Sequence, residues 1–152
     1  MRHLIDLLDG AVAASYDEAG IDYRPRYTPV MRALESGQPR TVSQIAEAAG
    51  ITQPAATQTV ALMLKAGLLA ASVSDKDARQ KLISLSVDGQ DLLPKLRQCW
   101  QATRAAADSL DRDLPYPLSD ALAQAIAALQ TQSFDERIRK ARAAINNKKE
   151  VP

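Results

Sequence analysis

Residues 41–89, TVSQIAEAAGITQPAATQTVALMLKAGLLAASVSDKDARQKLISLSVDG, constrain the fold of this chain more than any other stretch. Thr41-Val42-Ser43-Gln44 has the form of a capping box, so a helix opens there. Ile45, Ala46 and Ala49 make its buried side. Gly50 supplies a left-handed turn, and Ile51 plugs into the core. Thr52 caps a second helix whose first turn contains Pro54. Ala56, Val60 and Met63 recur at i, i+4 and i+7, so they face inward until Gly67 ends the helix. Residues 68–74 then read as a strand and 82–86 as its antiparallel partner, with the charged tip DKDARQK at 75–81 between them. Two short helices joined by a tight turn and followed by a ribbon make a winged helix-turn-helix. The second helix of that arrangement fits the DNA major groove.

The flanking sequence is helical. Leu4, Ile5, Leu8, Val12 and Ala13 place a helix over 2–19, stopped by Gly20. Residues 21–29 are irregular. A helix over about 28–36 follows, with Thr28 as N-cap and Pro29 at the first helical position, and Gly37 and Pro39 end it. Ser86 is the expected N-cap of a long helix over about 87–111, broken by Leu114-Pro115-Tyr116-Pro117. One final helix is expected from about 118 to about 145. Its stripe of Leu118, Leu122, Ile126, Leu129 and, after a polar break, Phe134, Ile138 and Ile145 suits a seam between subunits. The polar tail 146–152 is expected to fray. The expected fold is mainly α with a small β-wing, in one domain over 1–152. It has a winged lobe at 28–89 and helical regions at 1–20 and 90–146 that pair two copies.

Composition removes other classes. Apolar residues are 46% and charged residues 24% of the chain, the proportions of an ordinary globular domain. No apolar run has the length of a membrane span, and Asp6 and Asp9 interrupt the N-terminal apolar stretch as a signal peptide would not. Cytoplasmic residence is the expectation. Cys99 is the only cysteine and His3 the only histidine, so neither an intrachain disulfide nor a common zinc site is expected, and no cofactor. The chain has no G-x-S-x-G, no H-E-x-x-H and no Gly-rich phosphate loop, which argues against an enzyme. The net charge is +1. Across 41–89 the four cations (Lys65, Lys76, Arg79, Lys81) equal the four anions (Glu47, Asp75, Asp77, Asp88), so the electrostatic share of any DNA affinity is modest.

The wing carries Asp77-x-Arg79-x-x-x-Ile83-x-Leu85-Ser86-x-x-Gly89, which resembles the signature of the MarR family of bacterial transcriptional regulators. Val42-x-x-Ile45-Ala46, Gly50-Ile51-Thr52-Gln53 and Lys65-x-Gly67-Leu68 agree with the same family. The resemblance implies a homodimer with interlaced terminal helices, each winged lobe reading half of a pseudo-palindromic operator. It implies a repressor, released by a small, often aromatic, ligand bound between the dimer helices and the DNA-binding lobes. Double-stranded DNA and a second copy of the chain are the implied partners. The run Val60-Ala61-Leu62-Met63-Leu64 departs from the family, which carries several charges on this helix, and Leu62 and Leu64 on opposite sides of Met63 suggest a helix surrounded by protein or an apolar contact surface.

In the resemblance Arg79 is the wing arginine of the minor groove. A guanidinium on a ribbon tip suits the negative potential of a narrow groove, and Asp77 is placed to hold it. Lys76 and Lys81 are placed for phosphates, or for solvent. Gln53, Thr57 and Gln58 lie off the apolar face of the second helix, where amides pair with adenine edges and threonine meets the thymine methyl. Thr52 and Pro54 complete the DNA-facing end, with Thr52 first of all a cap. A ligand site has no motif. Tyr16, Arg24, Tyr27 and Trp100 are its candidates, with Tyr23 and Arg26 near them, because an arginine among tyrosines holds an aromatic carboxylate. The same residues equally suit packing. Cys99 is read as a buried structural thiol.

Two functional readings stand at this point. One is a ligand-responsive DNA-binding regulator. The other is a winged-helix protein-interaction module with weak DNA affinity, docking a partner on an apolar surface at Leu62 and Leu64.

Overall fold

The computed structural model describes residues 2–73 and 81–149. They form two compact units, the first ending at Thr103 and the second beginning at Arg104.

In the first unit α1 (Arg2–Glu18) leads through a short 3-10 turn (Pro25–Tyr27) into α2 (Thr28–Leu34). The turn runs straight into the helix, so Thr28 is already helical (φ −54°, ψ −45°) and does not N-cap α2 as expected. Then come α3 (Val42–Ala49), α4 (Gln53–Lys65), β1 (Leu69–Val73) and β2 (Lys81–Leu85). The strands pair antiparallel from Leu69 opposite Leu85 to Val73 opposite Lys81. Strand β2 starts and ends one residue before its expected limits, because Ser86 is committed to the helix that follows. Arg40, in the α2–α3 connection, exchanges two backbone hydrogen bonds with Ile83 at 2.9 and 2.8 Å and ties the ribbon to the helices.

Helix α5 (Val87–Asp113) begins against Gly67 and Leu68, the residues just before β1. Ser86 Oγ accepts from Gly89 N at 3.0 Å and donates to Gly67 O at 2.5 Å, while Ser86 N donates to Leu68 O at 3.1 Å. A Cβ on Gly89 would sit inside the van der Waals radius of the Leu68 carbonyl oxygen, so glycine is required by close approach. The core gathers Val30, Met31 and Leu34 from α2, Ile45 from α3, Val60 and Met63 from α4, Ile83 and Leu85 from β2, and Leu93, Leu96 and Trp100 from α5. Burying such side chains removes about 1.5–3 kcal/mol of apolar exposure each.

The second unit holds the end of α5, α6 (Leu118–Thr131) and α7 (Phe134–Lys149). The single helix expected here is two. Gln132 is extended (φ −141°, ψ 110°), Ser133 Oγ bonds the Asp135 carboxylate at 2.5 Å, and Arg137 folds back onto the carbonyls of Gln132 and Ala128 at 3.2 and 3.1 Å. Arg137 thereby satisfies the Gln132 carbonyl, which a continuous helix would have paired itself. At the α5–α6 corner the Asp111 carboxylate accepts from Leu118 N at 2.7 Å, from Ser119 N at 3.3 Å and from the Ser119 hydroxyl. It therefore caps α6 from outside the helix.

Candidate nucleic-acid interface

The helix-turn-helix is held by its caps. Gln44 N donates to Thr41 Oγ1 at 3.3 Å while Thr41 N donates to Gln44 Oε1 at 2.9 Å, the reciprocal pair expected from the sequence. Gly50 takes the left-handed conformation (φ 65°, ψ 30°) that turns α3 into α4. Thr52 Oγ1 accepts from Ala55 N at 3.4 Å and starts α4, with Pro54 in the first turn. Ala56, Thr59, Val60 and Met63 are buried, so the inner side of α4 is locked onto the core.

The opposite side is open. Gln53, Pro54, Ala55, Thr57 and Gln58 line one shallow depression at the N-terminal end of α4. All are exposed, as are Thr52 before them and Ala61 one turn on. Thr57 Oγ1 donates to Gln53 O at 2.9 Å, a bond invisible to spacing arguments. Ala55 and Ala61 carry no chemical signal of their own in the sequence. Helical period alone puts them beside Gln58 and Thr57. Among residues 52–64 there is no charged side chain, and Lys65 is the first cation.

The expected wing residues divide. Lys81 is exposed at the start of β2. Lys76, Asp77 and Arg79 lie outside the described residues. Leu62 and Leu64 are half-buried and pack against the core of their own chain. The uncharged run 60–64 therefore covers the core from α4 and offers no free apolar patch, which removes the docking surface of the interaction-module reading.

The four expected ligand residues are placed as follows. Tyr16, Tyr27 and Trp100 are 1, 5 and 8% exposed and share one aromatic cluster with the buried Tyr23. Tyr23 stands edge-on to Tyr16 and Tyr27, with centroids at 5.0 and 5.7 Å. Trp100 Nε1 donates to Tyr16 Oη at 3.2 Å, and the Arg32 guanidinium lies 4.8 Å from the Trp100 ring centroid. Arg32 gave no signal in sequence, since nothing local links it to a tryptophan five elements away. Arg24 is exposed, and its carbonyl accepts from Tyr27 N at 2.9 Å. The Tyr23 hydroxyl is buried without a hydrogen-bond partner. Burial drives its phenol well above the ordinary tyrosine range. Thr28 offsets part of that, but its hydroxyl pairs at 3.4 Å with Tyr16 instead.

Cys99 is half-buried against the core and its neighbour Arg97 is engaged elsewhere, 2.6 Å from Glu35. No group of His, Cys, Asp or Glu among the described residues is arranged to hold a metal ion. No helix among them is long and apolar enough to cross a membrane.

The family model of the MarR family matches residues 21–80, which includes both helices of the helix-turn-helix, β1 and the segment of Asp77 and Arg79. No curated protein matches the sequence. Several solved structures share the fold. The M. tuberculosis transcriptional regulator MOSR in complex with DNA superposes with a TM-score of 0.68 at 18% identity, over 88% of this chain and 95% of that one. The transcriptional repressor CouR bound to a 23-mer DNA duplex gives 0.63 at 19% identity, over 85% and 88%. The PcaV transcriptional regulator from Streptomyces coelicolor, in complex with its natural ligand, gives 0.61 at 17% identity, over 86% and 92%.

Proposed function

We propose that this chain, a MarR-family protein by its segment 21–80, represses transcription in the cytoplasm by binding a pseudo-palindromic operator as a homodimer. The observation that carries the proposal is α4, locked to the core by Ala56, Val60 and Met63 and presenting exposed Gln53, Thr57 and Gln58 on its other side. A rigid helix with a polar, uncommitted face is what major-groove reading requires. Thr52 and Pro54 stand at the same end of α4, and in this reading Lys76, Asp77, Arg79 and Lys81 supply the wing contacts.

The second copy is proposed from the second unit. Leu122, Ile126, Leu129, Phe134, Ile138 and Ile145 are all exposed in the single chain, together with Leu4, Ile5, Leu7 and Leu8 of α1. Apolar side chains repeated along amphipathic helices are covered most economically by a second copy of the same helices.

Release by a small aromatic molecule completes the proposal, with Arg24 as the anchor for an anionic group beside Tyr16, Tyr27 and Trp100. Those three rings are already packed together, so a ligand has to open the cluster and will bind one conformation of the chain better than another. The ligand-bound state of PcaV makes an effector reasonable here. A thermal-shift screen of aromatic carboxylates, repeated on Arg24→Ala, tests this half.

The DNA half is tested by fluorescence anisotropy with the duplex upstream of the chain's own gene, at two salt concentrations, beside Arg79→Ala. Saturable binding that outcompetes random DNA and weakens with salt and with the substitution is expected. Equal affinity for random DNA, unaffected by Arg79→Ala, refutes the assignment.

A further inference from the structure

The outward side of α4 has a chemistry of its own. Its exposed residues are Gln53, Pro54, Ala55, Thr57, Gln58 and Ala61, followed only at the last position by Lys65. Lys65 lies about 18 Å along the helix axis from Gln53. The side that would enter the groove thus offers carboxamides and methyl groups and no cation.

Base edges discriminate among such groups. Guanine shows two acceptors to the major groove, N7 and O6, and is matched by the paired or charged donors of arginine or lysine. Adenine shows an acceptor beside a donor, which a carboxamide matches with its own donor and acceptor. Thymine shows a methyl group, matched by apolar contact. Thr57 falls in the last class for a reason visible only in three dimensions. Its hydroxyl hydrogen is spent on Gln53 O at 2.9 Å, so it has no donor for a base and presents its methyl. Ala55 and Ala61 add two further methyl groups to the same side.

We infer that α4 reads A·T pairs, Gln53 and Gln58 pairing with adenine edges and Thr57 packing its methyl on the C5-methyl of thymine, with no contact to guanine from this helix. The inference rests on the proposed DNA binding and specifies what each lobe recognises. It also accounts for a recognition helix without charge. Specificity here comes from edge matching and desolvated methyl groups, while phosphate attraction is left to cations elsewhere.

The test starts from the full-length protein and a pool of random duplex DNA, carried through repeated selection. The expected product is a half-site whose α4-facing positions are A·T pairs. Gln53→Ala should weaken the selected duplex about tenfold and random duplex little. Replacing the contacted thymine by deoxyuridine removes only the methyl and should cost about fourfold. Thr57→Ser, which keeps the hydroxyl and cannot disturb packing on an exposed site, should cost the same and make the protein blind to the deoxyuridine change. That blindness separates α4 from any preference of the wing for A·T-rich grooves. A selected guanine whose contribution disappears in Gln53→Ala, or a deoxyuridine effect that persists in Thr57→Ser, overturns the inference and leaves the regulator assignment standing. A pool that enriches no sequence overturns the regulator assignment itself.

Discussion

The two units of this chain solve the burial problem differently. The first packs residues of five helices and a ribbon around one core, with Val30, Met31, Leu34, Ile45, Met63 and Leu96 essentially inaccessible. In the second, no residue from Arg104 to Asn146 is buried, and its large apolar side chains stand exposed. Both have comparable helix-forming sequence. The difference is the number of apolar faces that can meet within one chain: several in the first unit, too few in the second. The contrast teaches that helical content and structural independence are separate properties. The first unit has a core of its own, and the described residues of the second bury none.

Four substitutions break or sharpen that contrast. Ile126→Asp has the largest expected effect, because its cost appears only if the stripe is covered. In a monomer the charge is solvated and changes stability by less than about 0.5 kcal/mol. Buried in a dimer seam it costs about 4 kcal/mol, roughly a thousandfold in dimer dissociation. Sedimentation of the variant should show monomers whose helical circular dichroism is retained at low temperature. A variant that stays dimeric removes the stripe from the interface.

Gly89→Ala comes next and attacks the first unit alone. The added methyl meets the Leu68 carbonyl, a backbone group that cannot turn away, and the Ser86 cap moves with it. A loss of about 3 kcal/mol is expected, seen as a fall of roughly 6–12 °C in Tm. An unchanged Tm would mean that α5 can shift away from Leu68 at no cost.

Tyr23→Phe should be neutral or mildly stabilising, by up to about 1 kcal/mol, because it removes a buried hydroxyl without a partner. The sign of its pH dependence follows from the raised phenol. The native state keeps the proton to higher pH than the unfolded chain, whose tyrosines ionise near pH 10. Stability is thus full below about pH 10 and falls as pH rises above it. Urea melts at pH 8 and 11 should show a smaller alkaline loss for Tyr23→Phe than for the parent.

Asp111→Asn has the smallest effect and reports on the second unit. Hydrogen bonds from Ser119 and Leu118 hold the Asp111 carboxyl below its ordinary value, the Ser119 hydroxyl first. The native state therefore binds this proton later than the unfolded chain as pH falls. Its contribution is full above the ordinary aspartate range and is lost as pH falls through the lowered native value. The asparagine variant should lose a little helix content at the start of α6 at pH 7 and show a shallower acid dependence there, by hydrogen exchange of the Leu118 and Ser119 amides.

Most of the first unit was legible from local chemistry. The Thr41–Gln44 capping box, the left-handed Gly50, the Thr52 cap and the inward row Ala56, Val60, Met63 are dictated within a few residues of chain. Legibility failed where distant groups compete for the same atoms. Thr28 has the residue type of a cap but is drawn into the helix by the Pro25–Tyr27 turn. At the α6–α7 break the sequence shows a polar interruption of the stripe between Leu129 and Phe134, but not that Arg137 reaches back to Ala128 and ends the helix there. At the candidate site the polar positions of α4 were readable, the spent Thr57 hydroxyl was not, and for Leu62 and Leu64 the sequence left open the packing that the structure shows and an apolar contact surface.

By itself the sequence determined the order of elements, the helix-turn-helix with its caps, and which side of α4 is polar. Each follows from backbone conformational preference and periodicity, which act over one or two turns. Only the tertiary structure decided that Trp100 and Tyr16, 84 residues apart, share a hydrogen bond. It decided equally that Gly89 must be glycine because of Leu68, and that the second unit lacks an inside of its own. Those outcomes depend on which surfaces meet once the chain has collapsed, and packing at close contact is a property of the pair of surfaces rather than of either sequence segment.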